Sequence, residues 1–365
     1  MASKLKRLRA IPQPHRNGMI WRVLDARFPK LREFRSARLA RSLRARVAAN
    51  QAVTKDGPRY LMATAHRTAG IGHALSEYNT GLRLAQEWDL KFLHAPFEGP
   101  WEAFLGFGSH YPSSLEIWKN GGFELVKLPR VDPKSADVAD ELRNAVASIR
   151  SSKPLVFMPF HGQNSFIQHT TGPELRKAYW SYKNRSGVKV LREAGAINVA
   201  VHVRRRNAMD MRNPSVQDVN SEGYRSRYID LDYFTKLMGY IREAFPAEKK
   251  IFHIFSQGTA DGFEPLISAG DARLHLDVDQ YNTFHNMACA DILITSPSSF
   301  SFKAGMLTPG LKLSRYPWWH EIPQDSEWCR IPEDPQPNKD ETIHFLRENL
   351  AASQAQAKQL FPFEL

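Results

Sequence analysis

The sequence predicts an α/β protein with two domains, each a parallel β-sheet layered with helices, the two facing a central cleft. Three observations predict it. Short apolar runs alternate with longer amphipathic stretches between residues 59 and 307, as parallel sheets with helical crossovers require. The alternation comes in two runs, split near residues 185–195. The 365 residues are 42% hydrophobic and 24% charged, enough for two ordinary cores.

Residues 1–56 stand apart from that pattern. They hold 15 basic and 3 acidic residues, a balance of +12, while the other 309 residues hold 35 of each. Leu31, Phe34, Ala37, Ala40, Leu43 and Val47 recur at helical steps, with Arg32, Arg35, Arg38, Arg41, Arg44 and Arg46 between them. This is an amphipathic, strongly basic helix. It can dock on the body with a solvated arginine face, or attach to an anionic lipid surface or another acidic polymer. Nucleic acid is the disfavoured partner, because the body is neutral and a nucleic-acid domain normally carries its basic patch there.

Residues 57–190 form the expected first domain. The run at 60–65 (YLMATA) reads as a buried strand, 73–88 as a helix and 91–94 as a strand. Residues 136–149 read as a helix, 154–160 (PLVFMPF) as a strand, and 172–194 contain a further helix. In the second domain, 191–320, strands are expected at 196–203 (AINVAVHV), 250–255 and 291–295, and helices at 231–245, 284–290 and 299–307. The tail, 321–365, is proline-rich at 331–337 and then helical from 339 to about 360.

Cys289 and Cys329 are the only cysteines, which excludes a disulfide scaffold and a four-cysteine zinc site and favours a reducing compartment. No apolar stretch reaches the ~18 residues of a membrane span, and the N-terminus lacks the apolar core of a secretory signal. A cytoplasmic protein is expected.

Ligands of open α/β sheets bind beyond the carboxyl ends of strands, and three such places carry suggestive residues. Gly70 and Gly72, with His73, follow the first strand and would let backbone amides approach an anion at a helix N-terminus. A plain tight turn explains them equally well. His202-Val-Arg204-Arg205-Arg-Asn207 ends the strand at 196–203. Alternation sends His202 and Arg204 to one side and Arg205 to the other, and the planar arginine fork matches phosphate oxygens. The third place is Thr295-Ser-Pro-Ser298-Ser299-Phe300-Ser301, where a strand runs into a helix. Ser298 or Ser299 caps that helix, whose free amides make an anion site. The two later places suggest a diphosphate held by the second domain. No metal constellation accompanies them, and Asp277 and Asp279 read as a turn.

These residues resemble a family. The run from His202 to Asn207 is similar to the HxRRxD motif of the α-1,2- and α-1,6-fucosyltransferases. The stretch from Phe284 and His285 through Ala290, Asp291 and the strand to Ser298-Ser299-Phe300-Ser301 resembles their downstream motif, and Gly70-Ile-Gly72-His73 their glycine-rich loop. The resemblance covers residues 60–310. It implies a GT-B fold of two Rossmann-like domains, GDP-β-L-fucose as donor, no metal and no other cofactor, and inversion to an α-fucoside. It also implies that Arg204 and Arg205 bind the diphosphate, that His202 supports the nucleotide, that Ser298 and Ser299 hold phosphate oxygens, and that His285 lies near the nucleoside. Asn207 stands where most relatives have Asp, Thr283 replaces an acidic residue, and Phe255-Ser256-Gln257 replaces an Asp-containing turn.

Inversion needs a base for the acceptor proton or a concerted path through phosphate. Asp210 is the candidate base, with Asp218 and Glu222 as rivals. The leading expectation is a cytoplasmic fucosyltransferase-like enzyme acting on a glycan acceptor such as a bacterial polysaccharide precursor, held at the inner membrane face by its basic arm. The alternative is a non-catalytic glycan- or nucleotide-binding protein with a decayed active site.

Overall fold

The computed structural model describes residues 29–49, 56–63, 70–130, 136–160, 167–185, 187–205 and 229–360. It forms two compact units, Met1–Thr171 and Gly172–Leu365.

The first unit runs α1 (Pro29–Ala48), β1 (Arg59–Met62), α2 (Ile71–Glu87), β2 (Lys91–Leu93), α3 (Trp101–Leu105), α4 (Ser114–Lys119), β3 (Glu124–Lys127), α5 (Ala136–Ser148) and β4 (Leu155–Met158). Its sheet has the order β2-β1-β4-β3, with every pair parallel. All four residues of β4 are buried, as expected of a strand covered on both faces. Leu155 and Phe157 join Leu142 and Val146 of α5 and Leu43 of α1, while Val156 and Met158 join Met62 and Leu93 on the other face. A Cβ on Gly81 would sit 2.3 Å from the Ala63 Cβ, so α2 crosses the end of β1 where only glycine fits. Glu124 and Lys127 gave β3 a charged appearance, which hid a strand from the apolar-run criterion.

The basic helix is docked on this unit. Leu43 is buried, Ser36 accepts a 2.8 Å hydrogen bond from the Arg130 amide, and Arg46 pairs with Glu124. Arg35 stacks 4.9 Å above the Phe160 ring.

The second unit contains α6 (Gly172–Ser181), β5 (Ile197–His202), α7 (Leu231–Ala244), β6 (Lys250–Ser256), α8 (Glu264–Ile267), β7 (Ala272–Leu276), α9 (Gln280–Ala288), β8 (Ile292–Ile294), α10 (Ser299–Leu307), β9 (Leu311–Arg315), β10 (Trp328–Ile331) and α11 (Lys339–Leu360). Its strands are all parallel, in the order β10-β9-β8-β5-β6-β7. Both cysteines are buried and free. Among the described residues no helix is long and apolar enough to cross a membrane.

Two expected boundaries move. The units divide at 171/172 rather than 190/191, because α6 is tied into the second core. Its Trp180 indole donates to the Leu307 carbonyl at 2.8 Å, and its Tyr179 hydroxyl meets His285 Nδ1 at 2.7 Å. Residues 321–365 are not a separate tail either. Ile343, Leu346 and Leu350 of α11 are buried in the same cluster as Leu237 and Ile241 of α7. Helix α9 also begins at Gln280, four residues before its expected start, because Asp279 caps it by accepting from the Tyr281 and Asn282 amides. Asp277, with φ of 50°, forms the turn before it.

The strongest electrostatic tie is buried. Arg176 of α6 meets Glu327 through two bonds of 2.8 and 2.6 Å, and Lys312 of β9 reaches the same carboxylate at 2.6 Å. Burial alone would raise the Glu327 carboxyl, but Arg176 and Lys312 outweigh it and bring it down to about 2. Glu327→Ala strands two buried cations, so urea unfolding is expected to show a loss of about 3–5 kcal/mol. The folded pKa lies below the unfolded one, so Glu327 stabilises above the ordinary carboxylate range. That contribution fades as pH falls from about 4.5 toward 2. Glu327→Gln should flatten this part of the stability–pH curve.

Candidate functional site

The sheet order of the second unit locates a site before any side chain is considered. From β5 the chain moves outward through β6 to β7, then returns to the other side of β5 and moves outward through β8, β9 and β10. This is the 3-2-1-4-5-6 order of doubly wound sheets, and its switch point lies between β5 and β8, where a crevice opens beyond the carboxyl ends. The residues after β5 begin the HVRRRN run, and those after β8 are the serine turn.

Serine hydroxyls fix the backbone at that point. Ser296, after β8, donates to the His202 carbonyl and accepts from the Arg204 amide at 3.0 Å. Ser256, at the end of β6, donates to the Val203 carbonyl at 2.7 Å, and the Val203 amide donates to the Phe255 carbonyl at 2.9 Å. Residues 202–204 are therefore held from both flanking strands.

The pinned backbone sends the two arginines in different directions. Arg204 Nη1 donates to the Ser298 hydroxyl at 3.0 Å. Ser298 is the N-cap of α10 and accepts from the Phe300 amide at 3.3 Å. A guanidinium thus sits at a helix N-terminus, and both attract an anion. Arg205 turns the other way. Its guanidinium lies 3.8 Å over the Phe263 ring and donates to the Asp261 carbonyl at 3.1 Å, while its amide reaches Gln257 Oε1 at 3.4 Å. Beside it, Gly262 turns the loop with φ of 78°.

His202 is 3% exposed, packs 5.8 Å from the Phe300 ring, and has an Nδ1 that is buried with no hydrogen-bond partner among the described residues. Burial, reinforced by the Arg204 charge, pushes its imidazole down to about 3. It is a neutral, dry group lying under the helix terminus. Ser299 Oγ lies 3.1 Å from His320 Nε2. His285 is buried on α9, bonded to Tyr179 and 5.7 Å from the Trp180 ring, while its neighbour Phe284 meets Phe300 edge-on at 5.3 Å.

The structure therefore brings His202, Arg204, Ser298, Ser299 and Phe300 together at the switch point. Ser256 stands behind them, its hydroxyl spent on the backbone. Asn207 and the candidate bases Asp210, Asp218 and Glu222 lie outside the described residues. In the first unit Gly70 is the N-cap of α2, so Gly72 and His73 are already helical. A Cβ on Gly70 would meet nothing within 4 Å, and its φ of −60° is open to any residue. Trp318 and Trp319 pack around His320, which stacks on Phe302 of α10 at 4.5 Å. These aromatics are core around α10.

Sequence reasoning missed Ser296 as the central peg, though Ser296 lay within the quoted motif. It also missed a first-unit cluster beyond β2, where Tyr78 Oη meets His94 Nδ1 at 2.9 Å and His94 Nε2 meets Glu102 at 2.9 Å. Glu102 is 33% exposed and its carboxyl lies below the usual range, because bonds from His94 and the Phe97 amide outweigh the opposing effect of burial. Asp291, from the Ala-Asp pair of the resembling motif, lies at the opposite end of β8. It accepts from the Asn198 amide at 2.8 Å and pairs with Arg192 at 3.1 Å, which is a structural tie.

No family model matches the chain, and no curated protein matches it. Among solved structures it is similar to POFUT1 in complex with GDP-fucose, at 11% identity and a TM-score of 0.38 over 71% of this chain and 96% of that one. Fucosyltransferase NodZ from Bradyrhizobium is similar at 14% identity and 0.38, over 69% and 94%. E. coli heptosyltransferase WaaC with ADP is similar at 12% and 0.37, over 80% and 99%. Likenesses this distant do not bear on the site.

A dry His202 has a spectroscopic signature. Its ring resonances should stay constant from pH 8 to pH 5, since the folded imidazole protonates only near 3. Because that value is depressed, the linked stability is complete above the ordinary histidine range and falls as pH drops below about 6.5 toward 3. A ring that titrates between pH 6 and 7 in the folded protein contradicts the geometry.

Proposed function

We propose that the chain is an inverting, metal-independent glycosyltransferase of the GT-B type, which transfers a sugar from a nucleoside diphosphate donor to a glycan acceptor. The observation that carries this reading is the Arg204–Ser298 pair at the N-terminus of α10, beyond the carboxyl ends of β5 and β8. A diphosphate leaving group gathers negative charge as its bond to the sugar breaks. A fixed guanidinium and an oriented helix terminus stabilise that charge at the moment it forms. Residues 202–207 and 284–301 are similar to the fucosyltransferase motifs, which makes GDP-β-L-fucose the donor of choice and a bacterial polysaccharide or oligosaccharide precursor the acceptor class.

In the reaction the acceptor oxygen bonds to the anomeric carbon from the face opposite the diphosphate. The carbon–oxygen bond to phosphate breaks and its electron pair leaves on the diphosphate. The acceptor proton passes to a base, for which Asp210 is the candidate. Arg204 acts on the leaving group, His202 supplies a neutral wall below it, and Arg205 holds the loop at 257–263 in place.

Calorimetric titration with GDP, GDP-fucose and other sugar nucleotides tests the reading. Arg204→Ala should weaken diphosphate binding by about 10- to 100-fold, the cost of about 1.5–3 kcal/mol for a lost charge-assisted hydrogen bond. Asp210→Asn should leave binding in place and slow transfer by about 100- to 10,000-fold. The reading fails if no nucleoside diphosphate binds, or if Arg204→Ala binds as well as the parent.

A further inference from the structure

Helix α1 has two faces with different work. One is fastened to the first unit by buried Leu43, by Arg46 on Glu124 and by Arg35 over Phe160. The other is exposed and carries Arg38, Arg41 and Arg44. These three are three residues apart, so they rise along one strip about 4.5 Å at a time. No ion pair or hydrogen bond is formed by any of them among the described residues. Phe34 lies at the amino-terminal end of the exposed side and is 60% exposed, more than any other large apolar side chain described. The fastened face is positive as well. The Lys127 ammonium is pushed down by burial and then by the nearby Arg35 charge.

We propose that this outward strip of α1 docks the protein on an anionic lipid surface, with the three arginines at the headgroups and Phe34 inserted at the acyl boundary. Charge complementarity carries the choice of partner. The chain's whole excess of +12 lies in the first 56 residues, and three solvated arginines on a docked helix give that excess a fixed direction. An interfacial helix pairs basic residues with exposed apolar ones. Exposed Ala37, Ala45 and Ala48 join Phe34 in filling the strip between the arginines. A nucleic-acid face would fill most of those positions with hydrogen-bonding side chains. The proposal goes beyond sugar transfer and does not rest on it, because docking and donor binding are read in separate assays.

The test is sedimentation of the full chain with phosphatidylcholine vesicles, with and without about 30% phosphatidylglycerol, at low and at high salt. The parent should pellet with the anionic vesicles at low salt, be released at high salt, and ignore neutral ones. Each arginine near such a surface contributes about fivefold, so the triple variant Arg38→Gln, Arg41→Gln, Arg44→Gln should lose affinity on the order of 100-fold. Phe34→Ala should weaken binding by a smaller factor and leave its salt dependence unchanged. The triple variant should keep the parent's thermal melt and donor affinity, since none of the three side chains holds the fold. A parent that ignores anionic vesicles overturns the proposal, as does a triple variant that pellets equally well. It is also overturned if a short RNA is bound more tightly than the vesicles and removes the protein from them.

Discussion

The candidate site depends on one constraint, the clasp of serine hydroxyls on the backbone beyond β5. Strand β5 is buried at every position, so its carboxyl end emerges from the core at a fixed place. Ser296 from one neighbouring strand and Ser256 from the other then bond the next three residues. A backbone held on both sides gives successive side chains opposite directions, which is why Arg204 reaches the α10 terminus while Arg205 reaches Phe263. Without the clasp, two adjacent arginines on a loop would be solvated charges with no preferred target. With it, one becomes part of an anion site and the other a fastening for the neighbouring loop.

Much of this was legible in the sequence, and what was not has physical reasons. The apolar runs that became β5, β6 and β8, and the serine cap on α10, all announce themselves by pattern. The opposite aim of Arg204 and Arg205 follows from strand alternation. The sheet order does not appear in any local window. It depends on β7, β9 and β10, which carry Arg273, Lys312 and Arg330 within their spans and so fail an apolar-run criterion. Lys312 is fully buried only because Glu327 and Arg176 neutralise it, a pairing that spans 151 residues of sequence between its ends. Ser256 shows the complementary limit. A polar residue at a strand end reads as a ligand group until its hydroxyl is seen to be engaged with the Val203 carbonyl. The glycine pair at 70 and 72 shows the same limit, since the helix starts between them.

The basic segment was read as an arm attached to a neutral body, and its described helix is now part of that body's surface. The hydrophobic positions that predicted an amphipathic helix include Leu43 and Val47, which pack into the first unit's core cluster. Phe34, from the same stripe, remains exposed. Net charge therefore divides cleanly by task. A single guanidinium at the switch point matters for a bound diphosphate, while the large excess at the N-terminus bears on where the protein works.

The central claim is that the clasp, and not merely the presence of arginine, creates the anion site. It is tested most directly by titrating GDP into Ser296→Ala. That hydroxyl is engaged with the His202 carbonyl and the Arg204 amide, so its loss removes aim without removing charge. Affinity should fall most of the way to that of Arg204→Ala, with the thermal melt lowered only slightly. Undiminished GDP affinity in Ser296→Ala, alongside a clear loss in Arg204→Ala, would contradict the account.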